Sequence, residues 1–402
     1  MRILFLAPRL PWPLDTGAKI RTYHLLMQMT KLGRVDLACF SFDKDDASYL
    51  KEFERLNVNV TLVLREGMGI LKKAGSLLFS PLPFSIIKYS STAMAKTISE
   101  LVRANRYHAV HFDHLHMTQY RNCVNGLPCL VDEHNVEYRI LERCSAVEKY
   151  FLKQRIFSSQ AEKMKKFESQ KIGEFAKCLS VSDEDKRELT KWTDNETSVC
   201  VIPNGVDTDY FQSSVVNHQP FAEDALIFTG SMDWFPNDDA AVYFCKEILP
   251  FIWRRKNDVK FYIIGKNPSE QIKYLAREDK RIIVTGVVDD VRPFVARAKI
   301  FVVPLRIGGG TRLKILEAMA MERAVISTTV GAEGIAYTEG INIVLADSAQ
   351  VFAQKVLLLL GDDAKVQTMG LEGRKLVVSE YDWNVVGKKL QAVYRELTDA
   401  RT

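Results

Sequence analysis

The run Gly308-Gly309-Gly310-Thr311-Arg312-Leu313-Lys314, followed by Glu317-Ala-Met-Ala320, is where residue types and spacing in this 402-residue chain speak most directly of chemistry. Glycines let a backbone approach a ligand closely, and the N–H groups that open a helix have no intrahelical partners. Together they make an anion site. Lys314 and Glu317 are three residues apart and share neighbouring parts of one helix surface. The arrangement suits a diphosphate at the helix start, with Arg312 and Lys314 as cations. Glu317, one turn in, would accept hydrogens from sugar hydroxyls. Leu313 and Leu316 are expected to pack the helix against a sheet.

A second concentration lies in the first half, Tyr107-His-Ala-Val-His-Phe-Asp-His-Leu-His116. Imidazoles are common metal ligands, but this spacing fits no standard zinc pattern, and no metal is expected. Further on, Asp132-Glu-His-Asn-Val-Glu137 follows an apolar run directly. Desolvating such a cluster without partners or ligand is costly. His134 and Glu137 are therefore candidates for acceptor binding or base work, with helix capping by Asn135 beside a surface Glu as the alternative. Gly17 follows a strand and a proline-rich loop and opens a helix, with Lys19 and Arg21 on the opening turn, facing a ligand on this reading. The pairs Asp43-Lys-Asp45 and Asp183-Glu-Asp185 read as solvated acidic turns.

Elements with a clear pattern must hold these residues. β-rich runs are expected at 3–7, 35–42, 58–64, 109–112, 127–132, 178–181 and 199–202, with helices at 18–32 and 148–175. The pattern restarts at 225–228, 260–264, 282–285, 300–303, 324–328 and 341–345. Strand–helix alternation argues for parallel sheets, and two such series argue for an α/β chain of two Rossmann-like, doubly wound domains facing across a cleft. The expected division is a first domain at 1–206, a linker at 207–224, a second domain at 225–380 and a last helix at 381–402.

Bulk properties narrow the class. The hydrophobic share of 47% and charged share of 26% are those of a globular protein. No apolar stretch reaches the roughly 18–20 residues that span a bilayer. The opening residues, broken by Pro8, Pro11 and Pro13, read as a buried strand rather than a signal segment. Seven scattered cysteines without a C-x-x-C suggest a reducing cytosol. The first 200 residues hold 30 Lys and Arg against 24 Asp and Glu, the remainder 25 against 26, so the basic excess lies wholly in the first half. It lacks the dense stripe with interleaved aromatics that nucleic acid would favour. The segment from Arg65 to Lys96 mixes Lys72, Lys73 and Lys88 with apolar residues. It suits peripheral contact with an anionic membrane at its inner face, or equally a helix pair packed on the sheet.

Several of these stretches resemble the GT-B glycosyltransferases, specifically the large retaining family numbered four. Val201-Ile-Pro-Asn-Gly-Val-Asp207 is similar to its interdomain signature, and Gly286-Val-Val-Asp-Asp-Val291 with Ala298-Lys-Ile-Phe-Val-Val-Pro304 to the elements before its donor site. Glu317-Ala-Met-Ala320 with Val325-Ile326, and Tyr381-Asp-Trp383, resemble its later blocks, and the last of these implies that the helix at 381–402 crosses back to the first domain. The resemblance implies a nucleotide-diphosphate sugar as donor substrate, transfer with retention, and neither metal nor other cofactor. It implies that Glu317 binds donor ribose hydroxyls, that Gly17 lets backbone approach donor phosphate, and that a histidine near His111, Asp113 and His114 contacts the transferred sugar. The chain departs from the family pattern in three places. Gly309 stands where a first glutamate is usual, so the backbone of Gly308–Thr311 is the natural substitute. The loop from Gly230 to Asn237 lacks the usual Arg and Lys, and Arg312 and Lys314 would supply the charge. Glu322 and Ala324 replace a Gly and a Pro at the helix exit.

The leading expectation is thus a cytoplasmic transferase of nucleotide-bound sugar to a glycan or lipid-linked acceptor, in polysaccharide or envelope glycan synthesis. A sugar-nucleotide epimerase or hydrolase on the same fold, and a non-catalytic sugar-nucleotide-binding partner, remain as alternatives.

Overall fold

A computed structural model describes residues 1–42, 44–65, 75, 77, 80–148, 150–193, 198–213 and 224–399. Much of the basic segment from Arg65 to Lys96 (residues 66–74, 76, 78 and 79), Asp43 of the first acidic pair, and residues 214–223 of the expected linker lie outside the described residues. The chain divides into two units, residues 1–203 with 386–402, and residues 204–385.

The first unit carries a seven-stranded, all-parallel sheet in the order β3-β2-β1-β4-β5-β6-β7. Its strands are β1 Arg2–Ala7, β2 Arg34–Ser41, β3 Val58–Leu64, β4 Ala109–Asp113, β5 Cys129–Asp132, β6 Lys177–Ser180 and β7 Val199–Val201. β1, β4 and β5 are buried along nearly their whole length. That explains why they read as continuous apolar runs instead of alternating ones. Helix α1, Gly17–Thr30, opens at Thr16, whose side chain accepts from Lys19 N at 3.4 Å. Helices α2, Glu137–Val147, and α3, Phe151–Ile172, form a hairpin. The helix expected at 148–175 runs from Phe151 to Ile172, preceded by Tyr150 in extended conformation. Helix α4, Asp183–Thr190, is capped by Ser182, whose hydroxyl also donates to Asp185 at 2.7 Å. Asp183 is exposed and Asp185 buried in the first turn of α4, so this acidic pair opens a helix and is not a solvated turn.

The second unit holds a six-stranded parallel sheet, β10-β9-β8-β11-β12-β13, the Rossmann order once its strands are counted from β8. The strands are β8 Ala225–Thr229, β9 Lys260–Ile264, β10 Ile282–Gly286, β11 Ile300–Val303, β12 Ala324–Ser327 and β13 Val344–Leu345. β13 is shorter than expected because residues 339–343 form a turn, with Gly340 at φ 78°. Helix α5, Phe235–Tyr243, follows β8, and α6, Leu313–Ala320, follows β11. Each unit has its own hydrophobic core.

Residues 204–213, expected to close the first domain and begin a linker, belong to the second unit. Val206 N donates to Tyr381 O at 2.8 Å, and a Cβ on Gly205 would come within 2.6 Å of the Trp383 ring. The last helix, α7, Trp383–Asp399, begins in the second unit and ends in the first.

Candidate functional site

In the second unit, β8 and β11 are neighbours from which the strand order runs in opposite directions, and their following turns meet at the carboxyl ends. Such a switch point is where open α/β sheets bind ligands. Gly230 ends β8. A Cβ there would lie 2.8 Å from both Asn237 Nδ2 and Lys314 Nζ, so only glycine leaves the amine its place. Lys314 Nζ donates to Asn237 Oδ1 at 2.8 Å and sits 4.1 Å from the Phe228 ring centroid. Asn237 is itself fixed by donating to Ser231 O at 2.9 Å. Burial, with Arg312 near by, lowers the Lys314 ammonium to about 7, against a smaller upward pull from Glu317. A cation held by a neutral amide and a ring is suited to an incoming anion.

Helix α6 begins beside that amine. Its N-cap, Arg312, makes no side-chain capping bond, and the first turn has no acidic residue, so no side chain blocks an anion there. Glu317 lies one turn in, and its carboxylate makes no hydrogen bond or ion pair with the described residues. Burial raises its carboxyl to about 7, opposed by Lys314. Ile315 and Leu316 are fully buried and fasten the helix to the sheet, whereas Leu313, expected in that role, is half-buried.

Arg312 is not aimed at a ligand as expected. Its guanidinium folds back, donating to Gly310 O at 2.7 Å and Val330 O at 3.3 Å. Gly308 makes room for it, since a Cβ there would lie 2.0 Å from Arg312 Nη2. Gly310 turns the chain at φ 65°. Thr311 is tied at both ends, its hydroxyl donating to Gly334 O at 3.2 Å and its carbonyl accepting from Asn204 Nδ2 at 2.9 Å. Gly309 is half-buried between them. The turn is shaped by its own polar bonds and by Arg312. Helix α6 exits through Glu322, a non-glycine residue at φ 56°, held by Ser213 and Arg374.

In the first unit, the carboxyl ends of β4 and β5 carry a buried network of alternating charge. Arg21 from α1 donates to both oxygens of Asp132, at 2.9 and 2.6 Å, and to Pro203 O at 3.2 Å. It is thus buried in an ion pair, contrary to the expectation that it faces a ligand. His134 Nε2 lies 2.8 Å from Asp113 and 3.2 Å from Asp132. Thr22 donates to the other Asp113 oxygen at 3.0 Å. Burial works against the His134 imidazolium, but the two carboxylates outweigh it and raise the group to about 9. Burial raises Asp113, opposed by His134, while Asp132 is lowered because Arg21 and His134 outweigh burial. Two carboxylates thus face two cations.

His114, at φ 69°, lays its ring 3.5 Å from that of His134. Burial and its charged neighbour hold it well below its ordinary value, so it is neutral, beside a charged imidazole. Residues 114 and 134, read as separate candidates in the sequence, meet across two strands. His111 does not join them as a free group. It stacks on Phe5 at 4.3 Å, and its Nδ1 bonds the Tyr394 hydroxyl at 2.8 Å, leaving Nε2 buried without a partner. His108 accepts from Arg2 N at 3.0 Å and has a structural task.

Glu137 is half-buried at the start of α2, and burial raises its carboxyl to about 7 against His134 and Asn135. The helix is not capped by Asn135. Glu168, from α3, accepts from the N–H groups of Glu137 and Tyr138 at 3.0 and 3.2 Å. Gly17 is the exposed first residue of α1, and Lys19 pairs with Asp15 at 3.0 Å. Among the described residues, Asp113, His114 and His134, and His111, Asp113 and Asp132, are groups whose ligand atoms lie within 4.8 Å of one another. Asp113 is already bonded by His134 and Thr22, and Asp132 by Arg21 and His134.

The residues missed in sequence are Asn237, Phe228 and Thr22, and Arg21 was given another role; each acts on a residue far along the chain.

Two sequence families match. Residues 17–210 match the profile described as Glycosyltransferase Family 4, and residues 223–362 the profile described as Glycosyl transferases group 1. Among curated proteins, an uncharacterized glycosyltransferase of Methanocaldococcus jannaschii is 24% identical over 226 residues, 52% of this chain and 61% of its own. The capsular polysaccharide biosynthesis glycosyltransferase CapM of Staphylococcus aureus is 28% identical over 144 residues, 34% and 38% of the two chains. The chain thus spans about half the length of the curated relatives it matches. Solved structures extend the likeness to the whole fold. The sucrose-phosphate synthase of Thermosynechococcus elongatus superposes with a TM-score of 0.74 at 16% identity over 100% of both chains. Anabaena HepE, solved in complex with UDP and glucose, gives 0.65 at 14% over 98% and 99%.

Proposed function

Because the chain belongs to the group 1 glycosyltransferase family, we propose that it moves a sugar, with retention, from a nucleotide-diphosphate sugar to a glycan or lipid-linked acceptor. The observation that carries this reading is Lys314, an amine placed by Asn237 and Gly230 beside the open N-terminus of α6. The diphosphate would sit there, meeting Lys314 and the amides of Gly308–Thr311, and its developing charge as leaving group would be stabilised by donors already in position. Glu317 would accept hydrogens from the nucleoside ribose. Without a free cation from Arg312, Lys314 carries the charge of this site.

On the first unit, Asp113, His114 and His134 form the group we assign to the transferred sugar and the acceptor, with Glu137 close after His134 in the chain and Gly17 at the start of α1. Neutral His114 can accept a proton or donate a hydrogen bond, while charged His134, clamped by two carboxylates, fixes the ring stacked on it. The protein's contribution is positioning and electrostatics, with the leaving phosphate itself aiding removal of the acceptor proton. No metal is assigned a step. The likeness to CapM supports a surface polysaccharide as the setting.

A panel of sugar nucleotides and free nucleoside diphosphates, followed by thermal shift and calorimetry, tests the reading. One nucleotide should stabilise the chain. Lys314→Ala should weaken it about tenfold or more, as the loss of a charged hydrogen bond implies, and Glu317→Ala should abolish donor turnover in a folded protein. No stabilisation by any nucleotide would overturn the donor site, and turnover without acceptor would favour an epimerase or hydrolase.

A further inference from the structure

The helical hairpin of the first unit ends in a surface that sugar transfer does not use. At its tip Tyr150, Phe151 and Leu152 are 69%, 65% and 76% exposed, and Ile156, one turn on, is 38% exposed. Single apolar side chains on a surface are ordinary, but three in succession with a fourth on the next turn form a patch. The tip is not a frayed end. Tyr150 N donates to Glu148 Oε1 at 2.9 Å, and Gln154 N donates to Tyr150 O at 2.9 Å. Across the hairpin, Ser145 Oγ bonds Ser158 Oγ at 2.7 Å and donates to Gln154 O at 3.2 Å. These bonds hold Tyr150 and the first turn of α3, whose apolar side chains face outward.

Cations interleave with them. Lys153 Nζ stands 5.1 Å from the Tyr150 ring centroid, and the Arg155 guanidinium 5.2 Å from that of Phe151. Helix α3 as a whole holds five lysines and one arginine against two glutamates, of which Glu168 is buried. We propose that this tip docks the chain on an anionic lipid bilayer, with Tyr150, Phe151 and Leu152 entering the headgroup region and Lys153 and Arg155 meeting lipid phosphates at its edge. An apolar groove on a protein would have to desolvate cations that touch the very rings it receives. The headgroup layer offers hydrocarbon and phosphate within a few ångströms, which suits aromatic and leucine anchors flanked by long basic side chains. Further along α3, Lys163 Nζ donates to Leu77 O at 3.2 Å, and docking through the tip does not depend on the transfer reaction.

The full chain should sediment with vesicles of equal parts phosphatidylglycerol and phosphatidylcholine, far less with phosphatidylcholine alone, and should be released as salt rises. Phe151→Ser with Leu152→Ser should weaken binding about tenfold or more through loss of two anchors. Lys153→Glu with Arg155→Glu should weaken it by a similar factor and remove most of the salt dependence. Both variants should keep the wild-type circular dichroism, melting midpoint and nucleotide binding, since the altered side chains are exposed. Absence of wild-type adsorption, equal adsorption to neutral vesicles, or unchanged binding in both variants would overturn the proposal. So would a wild-type dimer in sedimentation velocity that Phe151→Ser with Leu152→Ser dissolves, since the patch would then hold a second copy.

Discussion

Arg21 and Asp132 stand 111 positions apart and are joined by two hydrogen bonds in full burial. Removing one partner of such a pair leaves an uncompensated charge, so Arg21→Met should cost about 3–5 kcal/mol in urea unfolding. A loss below about 1 kcal/mol would mean that His134 alone can neutralise Asp132. The network also sets a pH dependence. The folded-state value of His134, about 9, lies above its ordinary 6.5. Its stabilisation is complete below that ordinary value and is lost as pH rises through about 9. Asp132, lowered when folded, stabilises above the usual carboxylate range and loses this as pH falls. The melting midpoint should therefore decline on the alkaline side, and His134→Gln should flatten that decline. The polar clusters at the strand ends were legible because charge after an apolar run is conspicuous. Arg21 was misread because spacing tells which residues share a helix face and says nothing of a partner on a distant strand.

At the scale of elements, the donor site is one strand end, one turn and one helix start held by side chains from elsewhere. Glycine-rich turn, cation and carboxylate were legible because they fall within one short run. Asn237 was not, since it meets Lys314 across 77 positions and has no chemistry of its own to announce it. Arg312 was misread for a related reason, because a cation beside glycines can turn inward only where the absent Cβ lets it, as at Gly308. Gly230→Ala would push against the amine and Asn237, and should weaken nucleoside diphosphate binding about tenfold, the loss of one charged hydrogen bond, while leaving the fold intact. Undiminished affinity would show that Lys314 reaches the ligand by another path. The amine also ties binding to protons. Lys314 is lowered to about 7 when the site is empty, and an anion would raise it. Above that pH, binding should take up a proton and weaken as pH rises. Calorimetry in buffers of different ionisation enthalpy should report the uptake, and Lys314→Met should remove it.

Over the whole molecule, two parallel sheets restart one pattern within a single chain, and each builds its own core. Buried parallel strands read as plain apolar runs, which made both series and their order of appearance legible. The allegiance of residues 204–213 was harder to place, since it depends on side-chain contacts such as Trp383 on Gly205 and not on composition. The tail of α7 completes the first unit. Val386, Leu390 and Tyr394 are fully buried, and Tyr394 donates toward Met29 Sδ at 3.1 Å besides bonding His111. Independent cores with separate ligands predict separable unfolding. In calorimetry, a nucleoside diphosphate at about 100 times its dissociation constant should stabilise the donor-side unit by about 2.7 kcal/mol and leave the other transition where it was. A chain ending at Val385 should show the reverse pattern, with the first unit's transition lowered or lost and the ligand-responsive one retained. Equal displacement of both transitions by the nucleotide would mean that the two cores melt as one cooperative body, and the division into units would then describe packing without describing stability.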